Sequence, residues 1–69
     1  MKNILKNIIQ EFSNDPKTAT NTFAWGRNTY LLTYDSYFNE ITVLERRSYE
    51  IIIESSDVDQ IVNEIYHHR

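Results

Sequence analysis

The chain predicts an α+β fold in which a four-stranded antiparallel meander carries its N- and C-terminal helices on one face, in the order αββββα. Three observations predict it: an apolar stripe at helical spacing up to Phe12, a stretch of β-branched and aromatic alternation over residues 20–55, and a second helical stripe after Ser56.

Met1, Ile4, Leu5, Ile8, Ile9 and Phe12 fall on one side of a helical period, with Lys2, Lys6, Asn7, Gln10 and Glu11 on the other, so the chain opens with an amphipathic helix. Ser13, Asn14, Asp15 and Pro16 stop it, because proline cannot continue the hydrogen-bond ladder and biases its predecessor away from helical geometry. A loop to about Ala19 follows. Strands are predicted at residues 20–25, 29–35, 39–46 and 49–54, joined by connections short enough to require antiparallel hairpins. Ser56, Asp57, Val58 and Asp59 approximate an S-x-x-D capping box, with Ser56 as the cap. Val58, Ile61, Val62, Ile65 and Tyr66 then form the second stripe, and His67, His68 and Arg69 suit the negative helix end.

Turn chemistry sets the register. Gly26 and Arg27 at the tip of a type II′ hairpin pair Phe23 with Tyr30 and Asn21 with Leu32. A second hairpin centred between Tyr37 and Phe38 pairs Tyr34 with Ile41 and Leu32 with Val43. A third, with Arg46, Arg47 and Ser48 at its tip, pairs Val43 with Ile51 and Ile41 with Ile53. One face then holds Phe23, Trp25, Tyr30, Leu32, Tyr34, Ile41, Val43, Ile51 and Ile53 as the core. The other is polar except for a stripe of Leu31, Leu44 and Ile52, and no third layer is left to cover it. The third register is the least constrained, since its tip lacks glycine.

At 69 residues the chain (1–69) is one domain, and a chain of this size buries only about 60% of the surface its unfolded form exposes. With no cysteine, close packing or self-association must stabilise it, which makes a homodimer the expectation. Lys6, Asn7, Gln10 and Glu11 interrupt any signal-peptide core, and no run approaches the roughly 18 apolar residues of a membrane span, so a cytoplasmic protein is expected. Frequent asparagine and isoleucine beside a single glycine and a single proline fit an AT-rich genome, such as that of a low-GC bacterium or its phages.

Charge is divided along the chain. Residues 35–64 hold eight acids against Arg46 and Arg47, whereas in residues 1–34 Lys2, Lys6, Lys17 and Arg27 outnumber Glu11 and Asp15. The register sets Glu40 opposite both Asp35 and Glu54, with Asp57 and Asp59 at the same end. Arg27, Arg46, Arg47, Lys2, His67, His68 and Arg69 gather at the other, so the domain is expected to be electrically polar. The acidic row suits a basic surface on a protein partner, one that ordinarily holds nucleic acid, and its long-range field would speed the encounter. The ordinary alternative is a solvated rim. A divalent cation ranks lower, because no dense calcium-loop pattern is present.

Leu31, Leu44 and Ile52, together with Tyr37 and Phe38 at an exposed tip, are candidate interface residues, against the alternative of scattered surface apolar groups. His67 and His68 point in different directions at a helix end, and Trp25 falls on the core face, so neither is read as a site. No cysteine, phosphate-binding glycine loop or well-placed histidine is present to serve an active site, and no cofactor is expected. The expectation is a small non-enzymatic modulator, most concretely a phage-type inhibitor of a host DNA-handling protein that acts through a nucleic-acid-mimicking acidic surface. The alternatives are a nucleic-acid-associated regulator that uses the basic end, and an accessory subunit that docks on a larger enzyme by its open sheet face.

Overall fold

The structure, a computed structural model, describes residues 2–68; Met1 and Arg69, placed above in the first stripe and the basic end, lie outside the described residues. The element order is α1 (Lys2–Asn14), β1 (Thr22–Trp25), β2 (Asn28–Asp35), β3 (Glu40–Glu45), β4 (Ile51–Ser55) and α2 (Val58–His67). The strands form one antiparallel sheet in the order β1-β2-β3-β4, which is the meander the short connections require.

α1 buries Leu5, Ile9 and Phe12 and ends before Pro16, as its stripe and its stop signals dictate. Ile4, on the same predicted stripe, stays exposed. After α1 the chain turns on Asp15, whose carboxylate accepts a hydrogen bond from the Thr18 hydroxyl. α2 buries Ile61, Val62 and Ile65. The two helices pack on each other, and α2 also lies against β4. Lys2 approaches Asn63 while Lys6 approaches Asp59, so the helices run in opposite directions. Their apolar sides join Phe23, Tyr30, Leu32, Ile41 and Val43 in a single core cluster on one face of the sheet.

The first two hairpins have the registers that their turns predict. Phe23 pairs with Tyr30, and the Leu32 N–H donates to the Asn21 carbonyl at 2.7 Å. Gly26 carries a φ of +63°, the positive value that the first tip position needs. Tyr34 pairs with Ile41 and Leu32 with Val43.

The third hairpin differs. Its connection spans four residues rather than three: the Glu45 N–H donates to the Glu50 carbonyl at 2.9 Å, and the Tyr49 N–H to the Glu45 carbonyl at 2.7 Å. Without a glycine, the chain reverses by placing Tyr49 in the left-handed region, at φ +58°. A β-bulge follows, because Leu44 pairs with Ile51 while Val43 pairs with Ile53, leaving Ile52 as the extra residue. The longer connection and the bulge each displace β4 by one position. Together they displace it by two, so Ile53 and Glu54 keep their predicted faces while Ile51 and Ile52 exchange theirs. Ile52 packs against the core, and Ile51, predicted as core, is 52% exposed. Tyr34 is the other departure from the predicted core: near the end of its strand it is partly exposed, and its hydroxyl donates to the Asn39 side chain.

The second helix starts one residue later than the capping box suggests. Asp57, not Ser56, is the cap, and its carboxylate accepts from the N–H groups of Asp59 at 3.0 Å and Gln60 at 3.3 Å. Buried Ser55 completes the arrangement: its hydroxyl accepts from the Asp57 N–H at 3.0 Å and donates to the Gln60 side-chain carbonyl at 2.8 Å. A relay through Ser55 thus does what the reciprocal contact of a capping box does directly.

Candidate functional site

Both helices lie on one face of the sheet, and alternation along the strands turns a second set of side chains to the opposite face, which no element covers among the described residues. At its centre Leu31 pairs with Leu44 and Leu44 with Ile51, a row of three aliphatic side chains crossing β2, β3 and β4. Leu31 and Leu44 are half-buried by their strand neighbours, and Ile51 is exposed. The predicted stripe is therefore present with one correction: Ile52 is turned inward by the bulge, and Ile51 stands in the place assigned to it. No local pattern in the sequence separates these adjacent isoleucines, since the exchange is decided by the turn four residues earlier and by the bulge.

The acidic end of this face is a staggered cluster rather than a straight row. Asp35 pairs with Glu40 as predicted, but Glu54 lies opposite Thr42 and only diagonally from Glu40. The two-position displacement of β4 is the reason, and it also relieves the repulsion that two directly opposed glutamates would add to the Asp35 and Glu40 pair.

Three of the five acids singled out by the sequence have structural work. Asp35 accepts from the N–H of Tyr37 at 2.9 Å and of Phe38 at 3.4 Å, holding the β2–β3 connection. Asp57 caps α2. Asp59 pairs with Lys6 at 3.2 Å, both side chains largely exposed, in a surface contact of small energetic weight. Glu40 and Glu54 make no ion pair among the described residues. Tyr37 and Phe38 project at this end, 86% and 66% exposed, with rings in a T-shaped contact at 4.8 Å between centroids. They form a separate apolar projection, parted from the Leu31, Leu44 and Ile51 row by Thr33, Thr42, Asp35 and Glu40.

The opposite end is basic, as the charge division predicts. Arg27, Arg46 and Arg47 line a cavity of about 450 Å³ between the two hairpin tips. Beside it a second, of about 560 Å³, is lined by Trp25, Gly26, Arg27, Asn28, Tyr66 and His68. Lys2 is at this end too, its Nζ 5.0 Å from the centre of the Tyr66 ring. Trp25 packs against the core, as its alternation predicts, yet one side of it also lines this cavity. That second role was missed, because the partner ring, Tyr66, is 41 residues further along the chain.

Glu45 closes the tip of the third hairpin. Its carboxylate accepts from the Ser48 N–H at 2.7 Å and the Ser48 hydroxyl at 2.9 Å, and the Ser48 amide above all holds its pKa below the usual glutamate value.

Among the described residues, no group of three or more His, Cys, Asp or Glu side chains is placed to hold a metal ion, and no helix is long and apolar enough to cross a membrane. Comparison of the chain with protein-family models, with curated proteins and with solved structures finds no match in any of the three.

Proposed function

We propose that this chain is a small non-enzymatic binding module that modulates another macromolecule by docking the open face of its sheet on a protein partner. The observation that supports the reading is the Leu31, Leu44 and Ile51 row, in register across three strands on the face that neither helix covers. An apolar centre with a charged margin is the anatomy of a protein interface. Glu40 and Glu54 supply that margin without intramolecular ion partners among the described residues, and they select for a basic surface.

The concrete form of the proposal is a phage-type inhibitor, acting in the host cytoplasm, that covers the nucleic-acid surface of a DNA-handling protein. Docking as an accessory subunit of a larger enzyme uses the same face and the same residues. So does a homodimer, in which the row would meet its own copy.

The test is affinity capture from a low-GC bacterial lysate, with and without nuclease, beside two variants. Glu40→Lys with Glu54→Lys reverses the margin and leaves the Asp57 cap intact; Leu44→Lys with Ile51→Lys breaks the apolar centre. The proposal expects a nuclease-resistant DNA-handling protein that both variants lose. A partner lost only with the apolar variant supports the accessory-subunit form. Retention of the partner by both variants defeats the reading. Sedimentation across a concentration series separates a homodimer from a monomer that awaits a different partner.

A further inference from the structure

The basic end carries a second arrangement that the open face does not use. The cavity lined by Arg27, Arg46 and Arg47 and the one lined by Trp25, Tyr66 and His68 share Arg27 and Asn28, so they adjoin at the β1–β2 tip as the two halves of a cleft. Its two halves differ in chemistry. One presents three guanidinium groups, which make no ion pair among the described residues and whose planar donors suit phosphate oxygens. The other presents an aromatic wall, with Trp25 and Tyr66 centroids 6.3 Å apart and rings tilted by 45°, and with the Lys2 ammonium on the Tyr66 ring.

We infer that this cleft binds a nucleoside phosphate unit, with the base against Trp25 and Tyr66 and the phosphate among Arg27, Arg46 and Arg47. Juxtaposed stacking surface and arginine forks are what single nucleotides and unpaired strands require, because every base has a π face and every backbone link a negative charge. A bare anion would use only half of the cleft.

Hydrogen bonds hold the arginine half and the shared Asn28 in place. The Arg46 N–H donates to the Thr29 carbonyl at 2.8 Å, tying the β3–β4 tip to the base of the β1–β2 tip, and the Asn28 side-chain amide donates to the Tyr30 hydroxyl at 3.3 Å. Among the described residues the lining holds one carboxylate, Glu45, which is engaged by Ser48 within its own turn, so three arginines share it with a single partly satisfied negative charge. Glu50, just past the β3–β4 tip, is a second carboxylate near the arginines and leaves them in excess; the acidic end of the sheet is remote. β2 is eight residues long, about 25 Å at the usual rise per residue, several times the screening length of about 8 Å at physiological ionic strength. The acidic pI of about 5.2 therefore does not describe the field at this end.

The test uses the full chain, with Trp25, its sole tryptophan, as the fluorescent reporter. Titrants are a short oligothymidylate, thymidine monophosphate and tripolyphosphate. Saturable quenching by both nucleotidic ligands is expected. Tighter binding of the oligonucleotide assigns a single strand as the source of the unit, and equal binding assigns free nucleotide.

Where an oligonucleotide offers each of the three arginines a phosphate of its own, the slope of log K against log salt is about −2, and in Arg46→Ala with Arg47→Ala it falls to about −0.7. That double variant binds at least tenfold more weakly, while Lys17→Ala, which removes a charge from the loop after α1, binds as the wild type does. Tyr66→Ala weakens binding about tenfold and Tyr66→Phe does not. Backbone amide shifts at Gly26, Arg27 and Asn28 on titration of the wild-type protein give a readout that needs no variant. Absence of both quenching and shifts at millimolar oligonucleotide overturns the inference, as does undiminished binding by the arginine double variant. Tripolyphosphate bound as tightly as the oligonucleotide, with Tyr66→Ala without effect, overturns the assignment to a nucleoside. All these readings are made with no protein partner present, so they succeed or fail independently of the docking proposed for the open face.

Discussion

The two faces of the sheet are built from the same strands and put neighbouring residues to opposite uses. Leu32 and Val43 are wholly enclosed beneath the helices, while Leu31 and Leu44, each one position away, look out from the face that neither helix covers. Residue type does not distinguish them; pleat does. The lesson is that an aliphatic residue here stabilises the fold or remains available to a partner according to a single step along the chain.

The largest test of that contrast is a matched pair. Leu32→Ala leaves a cavity in the enclosed layer and costs about 2–5 kcal/mol. In a 69-residue chain with a total stability of roughly 3–10 kcal/mol, that is enough to approach global unfolding in a urea titration. Leu31→Ala, the same change on the open face, costs under about 1 kcal/mol in the same titration and instead reduces partner capture. Equal destabilisation by the two changes would mean that the open face is already covered, as in a homodimer.

Asp57→Ala tests how far the enclosed side depends on helix docking. Loss of the cap removes about 1 kcal/mol from α2, read as a lower thermal midpoint with partner capture intact. A smaller effect, of opposite sign, is expected at the turn that sets the open row: Tyr49→Gly relieves a left-handed residue and stabilises by up to about 1 kcal/mol, partly offset by the greater freedom of the unfolded chain.

The smallest effect is in acid. Glu45 and Asp15 both have pKa values held below their usual ones, Glu45 chiefly by the Ser48 amide and Asp15 chiefly by the Thr18 hydroxyl. A lowered carboxylate contributes fully above its unfolded value and loses that contribution as the pH falls through the folded one, so stability should decline from about pH 5 downward. Glu45→Gln should flatten the upper part of that decline in a series of urea midpoints, and both groups are exposed enough for salt to diminish the effect.

The element order was legible because each element is announced by a local signal: helical stripes closed by Pro16 and opened by acids, and strand alternation punctuated by Gly26. Where Gly26 and Asn39, residue types that tolerate a positive φ, supply it, the register could be read to the residue. Where Tyr49 supplies it instead, nothing local counts the tip residues, and the bulge at Ile52 is equally silent in the pattern. The acidic end was legible as a region, since Asp35 and Glu40 do meet, but the division between working and unengaged acids was not. Asp35 and Asp57 are taken up by backbone N–H groups that only the folded turn and helix bring within reach. The cleft at the basic end was half legible, with its arginines gathered by charge and its aromatic wall assembled from both ends of the fold.

The bulge in β4 bears on one more property. β4 is an edge of the sheet and carries Ile51, Ile52 and Ile53 in succession, a segment with the β propensity and apolarity of an aggregation nucleus. A flat edge of this composition would template the addition of further strands. The extra residue breaks the even spacing of amides and carbonyls and twists the strand away from a straight ladder, so the edge cannot extend in register. A chain lacking Ile52 is expected to regain an uninterrupted edge and to assemble into fibrils in concentrated solution, which thioflavin T fluorescence checks.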